Sequence, residues 1–319
     1  MIVYRTYQSG DEKHIVQLWN KCLLNDPITL KRFCNLVLLD VNFDPTGLKL
    51  AFSKERLIGC VYAIRRLLPM YGTDLEEENG WIPFFFVHPK YEGKRIGTSL
   101  LEAAVQFLWD HNRKDIFFSS YAPNYILPGL DVTAYPRGKV FLEKNGFKKL
   151  YSPVAMDQNL VEYKEKKGIK SLKLEREVEG YTFESAQNKD LYELIHFATE
   201  KFNPDWGRAI REAILHGGQL ENIFIVRKKG VLVGFCMHGA YEGIAERFGP
   251  FGIDTDEQGK GLGKILLHEC LLSMKSKGLH NAWFLWTGEK TAAGYLYRKT
   301  GFNITRTFHV MKKTRVMSE

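Results

Sequence analysis

The sequence predicts an α/β (α+β) protein built from two tandem domains of one fold, each a mixed, mostly antiparallel sheet flanked by helices. Three observations carry this. The 319 residues are long for one domain and comfortable for two of about 150. An apolar strand, a glycine turn and a helical pattern occur twice, over residues 84–97 and again from residue 248. Each half also closes on a short helix, a glycine and a phenylalanine, ending in Asn145-Gly146-Phe147 and Thr300-Gly301-Phe302. The glycine suits a left-handed C-cap, and the aromatic ring can pack back on the domain.

The earlier elements repeat in the same order. Residues 2–7 read as a strand, and Asp11 opens a helix with Ile15, Leu18 and Trp19 at helical spacing. Residues 181–186, then Asp190 with Leu191, Leu194, Ile195 and Ala198, follow the same plan. Hairpin patterns come next, 48–52 with 57–63 and 223–226 with 231–238. The copies are accordingly placed at residues 1–160 and 181–319. Residues 161–180, rich in Lys and Glu, read as a solvated connector, although the alternation over 169–178 also fits an edge strand.

A net charge of +8 and a pI near 9.0 concentrate anions at the surface. No run of five or more basic residues occurs, so nucleic acid is not the expected partner. The five cysteines are scattered, odd in number and without Cys-x-x-Cys spacing. They read as reduced thiols of a cytoplasmic protein, and no apolar run is long enough to span a bilayer. His238, His268 and His280 lack metal-ligand spacing, so no metal is expected.

The stretch Gln258-Gly259-Lys260-Gly261-Leu262-Gly263 stands between a strand pattern and a helix pattern. Such a turn aims several backbone N–H groups at one point, where the helix dipole adds positive charge. Glycines let the backbone approach an anion closely, and Lys260 and Lys264 add charge beside it. Neither the P-loop ending nor the dinucleotide glycine spacing is present.

This stretch resembles the acyl-CoA pyrophosphate signature of the GNAT superfamily of N-acyltransferases, Gln/Arg-x-x-Gly-x-Gly/Ala, with Gln258, Gly261 and Gly263 at the specified positions. Ile253 before it, and Ala293, Tyr297, Gly301 and Phe302 after it, extend the resemblance. The resemblance implies an N-acetyltransferase that carries the acetyl group of acetyl-CoA to a primary amine by direct attack. Gly252 and Ile253 would face the acyl arm, and Gln258 to Lys264, including Gly259 and Leu262, the pyrophosphate. Tyr297, four residues before the closing glycine, would protonate the departing thiolate, and Glu246, with Glu242 and Asp254 as rivals, would serve as base.

In the first copy Glu92 stands in place of Gln or Arg, Arg95 in place of the middle glycine, and Leu142 in place of the tyrosine. The resemblance therefore implies a catalytic C-terminal domain. The N-terminal copy then either shapes the acceptor cleft or holds a second CoA through Val87, Gly93, Lys94, Arg95 and Gly97. The loop over residues 125–135 falls where the family often shapes its acceptor site. Two alternatives stay open: a non-catalytic acyl-CoA sensor or scaffold, and a tandem GNAT-fold aminoacyltransferase.

Overall fold

The computed structural model describes residues 1–164 and 166–316. The chain divides into two compact units, one formed by residues 1–69, 74–153 and 307–319, the other by 70–73 and 154–306.

The first unit runs β1 (Ile2–Thr6), α1 (Glu12–Cys22), α2 (Leu30–Phe33), β2 (Leu48–Ser53), β3 (Arg56–Ile64), β4 (Asn79–Val87), α3 (Ile96–Asp110), β5 (Asp115–Phe118), β6 (Leu130–Asp131), α4 (Pro136–Lys144) and β7 (Lys148–Tyr151). Strands β1 to β4 form an antiparallel meander, and β5 joins β4 in parallel. From Phe84 onward the side chains of β4 alternate across the sheet with a period of two: Phe84 and Phe86 pack with Trp19 of α1 on one face, Phe85 and Val87 with α3 and α4 on the other. The alternation breaks at Pro83, so Ile82 lies on the α3 face although it stands two residues before Phe84.

The β4–β5 pairing covers only Asn79 to Ile82 opposite Asp115 to Phe118, and Ser119 N–H then closes on the Ile82 carbonyl at 2.9 Å. Beyond that point the strands part and leave a slot. Pro83, which has no N–H to give, stands where they separate. Opposite it the β3–β4 register shifts between Tyr62 and Ile64, which adds local twist.

The second unit runs β8 (Pro153–Asn159, its first residue still in the first unit), α5 (Ile169–Val178), β9 (Tyr181–Ser185), α6 (Leu191–Lys201), α7 (Pro204–Leu215), β10 (Ile223–Lys228), β11 (Val231–His238), β12 (Phe248–Ile253), α8 (Leu262–Ser276), β13 (Asn281–Gly288) and α9 (Ala292–Thr300). Strands β9 to β12 form an antiparallel sheet in the order β12-β11-β10-β9, with α8 packed on it. Opposite Gly249 and Pro250 the β11–β12 register shifts between Cys236 and His238. Strands β12 and β13 part almost completely, joined by a bridge between Arg247 and Trp283.

Two expectations about the middle of the chain are corrected. Residues 161–180 are neither a free connector nor an edge strand. They carry helix α5, capped by Gly168 at φ +84°, and Leu160, Tyr163 and Ile169 are buried. The apolar residues of this helix pack against α8 and β9, which a fully solvated connector would not do. The unit boundaries also differ from the 1–160, 161–180 and 181–319 division. From Val154 the chain already belongs to the second unit. The final strand, β14 (Asn303–Thr314), enters the first unit at Thr307, where Met311 to Thr314 pair with Phe118 to Asp115.

The five cysteines are free thiols, with Cys60, Cys236 and Cys270 buried. Among the described residues no helix is long and apolar enough to cross a membrane, and no group of three or more His, Cys, Asp or Glu is placed to hold a metal ion.

Candidate functional site

The glycine turns of both units have the same backbone form. In the second, Asp254 caps a short turn by accepting the Asp256 N–H, Gly259 and Gly261 take φ of +79° and +81°, and Gly261 is the N-cap of α8. In the first, the His88 ring accepts the Lys90 N–H, Gly93 has φ +72°, and Arg95, at φ +62°, is the N-cap of α3. Arg95 therefore holds the left-handed conformation that the sequence pattern assigns to glycine, at a cost of about 1 kcal/mol. Glu92 is offset by Arg137 of α4 at 2.9 Å. Lys94 lies over the Tyr91 ring at 5.1 Å.

What surrounds the two turns differs. In the first unit the slot between β4 and β5 opens into a cavity of about 670 Å³. Its walls are Trp19, Cys22 and Leu23 at the end of α1, Pro83 to Val87 of β4, and Gly93, Arg95 and Gly97 of the turn. Ser119, Leu127, Asp131, Tyr135, Phe141 and Leu142 are among its other walls, and the Glu92–Arg137 pair lies on it as well. Four of the five residues expected in this copy, Val87, Gly93, Arg95 and Gly97, meet at this cavity. The loop over 125–135, read from sequence only as a shaping loop, supplies one side of it. Burial pushes the Cys22 thiol up to about 12, with Glu92 reinforcing and Lys21 opposing.

In the second unit the corresponding surfaces are covered by the unit's own side chains. A Cβ on Gly261 would stand 2.8 Å from Leu172 Cδ2 of α5, and one on Gly252 would run into the Phe202 ring. Gly263 faces Phe251, Ile253 and Leu296 much as Gly97 of the first unit faces Phe85, Val87 and Phe141, so the difference between the turns lies at Gly252 and Gly261. Lys260 is held by Glu257 at 2.6 Å, the Gln258 amide donates to the Ile253 carbonyl at 3.3 Å, Leu262 is buried and Lys264 is exposed. Gly259 alone has open space around it.

Tyr297 is 6% exposed. Its ring lies among Phe284 at 4.6 Å, Phe302 at 5.4 Å, and Phe248 and Phe251 at 6.0 Å. Burial raises its pKa far above that of a free phenol. Glu246 is half-buried, and its carbonyl accepts the Trp283 N–H at 3.0 Å.

Parted central strands, a glycine turn opening a helix beside them, and a closing helix with its left-handed cap, present twice, define a tandem GNAT fold. Sequence models of the acetyltransferase (GNAT) family and the acetyltransferase (GNAT) domain match residues 15–125 and 219–304. The chain belongs to the GNAT acetyltransferases, as a tandem-domain member.

It is 23% identical to the mycothiol acetyltransferase of Saccharomonospora viridis over 240 residues, covering 69% of this chain and 70% of that protein. Its fold is similar to the GCN5-related glucosamine N-acetyltransferase region of a fungal multi-domain GH3 beta-N-acetylglucosaminidase, with a TM-score of 0.81 and 18% identity. That match covers 98% of this chain, which spans only 38% of the larger one. A tandem GNAT protein from the clavulanic acid biosynthesis pathway matches over 100% of both chains, with a TM-score of 0.65 and 12% identity.

Proposed function

We propose that this acetyltransferase binds acetyl-CoA in the first unit and transfers the acetyl group there to a primary amine. The observation that carries this is the cavity between β4, the Gly93 to Gly97 turn and α4. It has the parts that the donor needs. The turn presents free N–H groups and the positive end of α3 to a pyrophosphate, with Arg95 beside them. Past Ile82 the backbone of β4 has no β5 partner, which leaves hydrogen-bonding groups for an amide-bearing arm. The apolar walls exclude water from a thioester.

Direct attack suits the site. Cys22 is the thiol in the cavity wall, and with its pKa near 12 it stays protonated and is a poor nucleophile at neutral pH. The role of the second unit is structural on this reading.

A second reading keeps catalysis in the second unit, favoured by the unbroken Gln258-x-x-Gly261-x-Gly263 signature and by Tyr297. It requires Leu172 and Phe202 to leave the surfaces they now cover. Calorimetric titration of acetyl-CoA separates the two. The exposed pair Lys94→Glu with Arg95→Glu is expected to weaken binding at least tenfold, while Lys260→Glu with Lys264→Glu leaves it unchanged. The reverse pattern places the donor in the second unit.

A further inference from the structure

The position at which GNAT enzymes carry their tyrosine is Leu142 in the first unit, 1% exposed and in the cavity wall. It has no proton for a departing thiolate. Seven residues earlier, Tyr135 also lines the cavity, and its O–H donates to Asp26 Oδ2 at 2.6 Å. Asp26 lies on the loop after α1, and its carbonyl accepts the Trp19 indole N–H at 2.6 Å.

These two residues come from opposite faces of the sheet. Tyr135 packs with the cluster of α3 and α4, whereas Trp19, which anchors Asp26, packs with Phe84 and Phe86 on the other face. Their hydrogen bond thus links the loops on the two sides of the sheet, with the cavity that opens from the slot beside it.

We propose that Tyr135 and Asp26 form a proton relay for the acetyl transfer, a reading that rests on the donor lying in the first unit. The amine nitrogen attacks the thioester carbonyl and the C–S bond breaks. The proton that the nitrogen must lose passes through solvent to Asp26, which is half-buried on the loop after α1 and stands behind Tyr135 rather than in the cavity wall. Once protonated, Asp26 donates to the Tyr135 oxygen, and the Tyr135 proton passes to the thiolate. One proton enters at Asp26 and one leaves at sulfur, so the pair returns to its starting state with the free thiol of CoA as product. The same bond that orients the phenol recharges it.

The test asks whether Tyr135 reaches the sulfur. Calorimetric titrations compare CoA with desulfo-CoA, which lacks the thiol, on the full chain and on Tyr135→Phe and Asp26→Asn. Wild type is expected to prefer CoA by about threefold, the worth of one weak hydrogen bond to sulfur. Tyr135→Phe is expected to lose that preference while keeping its desulfo-CoA affinity, and Asp26→Asn to keep the preference. An equal preference in Tyr135→Phe and wild type, or none in wild type, overturns the proposal.

With spermidine or water as acetyl acceptor, any measurable turnover is expected to fall at least a hundredfold in both variants. A fall of less than tenfold in either variant overturns the relay. Should Lys94→Glu with Arg95→Glu leave CoA binding intact, the fault lies instead with the assignment of the donor to the first unit.

Discussion

Arg95 and Gly261 stand at the same point of two copies of one turn, and both are left-handed, at φ +62° and +81°. The backbone form persists where the glycine does not. Arg95→Gly removes a strained side chain that is exposed. The expected result is a first unit more stable by about 1 kcal/mol, with acetyl-CoA bound several-fold more weakly because a guanidinium is lost beside the pyrophosphate. Thermal melts and titrations read the two effects separately, and their opposite signs distinguish charge from strain.

Leu172 is the residue that covers Gly261. Leu172→Ala is expected to lower the stability of the second unit by about 1–2 kcal/mol, the value of partly buried methyl groups. Acetyl-CoA affinity is expected to stay within twofold. A gain of a second binding site in this variant would show that α5 conceals a working turn.

Glu257 gathers Tyr181, Lys228 and Lys260 around its carboxylate. Burial raises its pKa, but these hydrogen bonds outweigh it and bring the group to about 2 from an ordinary 4.5. The folded carboxylate holds its proton less tightly than the unfolded one. Its stabilisation is therefore complete above about 4.5 and lost as pH falls toward 2. Glu257→Gln is expected to melt earlier than wild type near about pH 6, with the difference shrinking near about pH 3. A difference that is constant across this range contradicts the ion-pair account.

Cys22 tests direct attack. Its sulfur donates to the Val87 carbonyl at 3.5 Å, and burial keeps it protonated. Cys22→Ala is expected to retain transfer within threefold. Intact mass spectrometry of wild type mixed with acetyl-CoA is expected to show no acetylated protein; an adduct absent from the variant would mean a covalent step.

Much of the fold was legible because it is written at short range. The hairpins β2–β3 and β10–β11, strand β12 and the closing turns at Gly146 and Gly301, with φ of +84° and +114°, follow from local periodicity and glycine placement. Long-range pairing was not legible. Nothing local in residues 307–314 marks them as partners of β5, nearly two hundred positions earlier. Helix α5 was missed because its Lys and Glu content resembles a solvated connector, while Leu172 and Ile169 do the packing.

What surrounds each glycine turn was not legible for a related reason. Signature residues mark a turn, but what stands in front of the turn is decided by Leu172 and Phe202 in one copy and by an open slot in the other. Arg95 looked like a defect because a glycine pattern cannot tell a strained arginine from a lost conformation. Tyr135 carried no signal beyond its place before Pro136, since its partner Asp26 is far away in sequence.

The most direct measurement is hydrogen–deuterium exchange of the full chain with and without acetyl-CoA. Slowed exchange is expected in peptides covering residues 84–98 and 130–142, with residues 248–264 unchanged. Protection confined to 248–264 would contradict the assignment of the donor to the first unit.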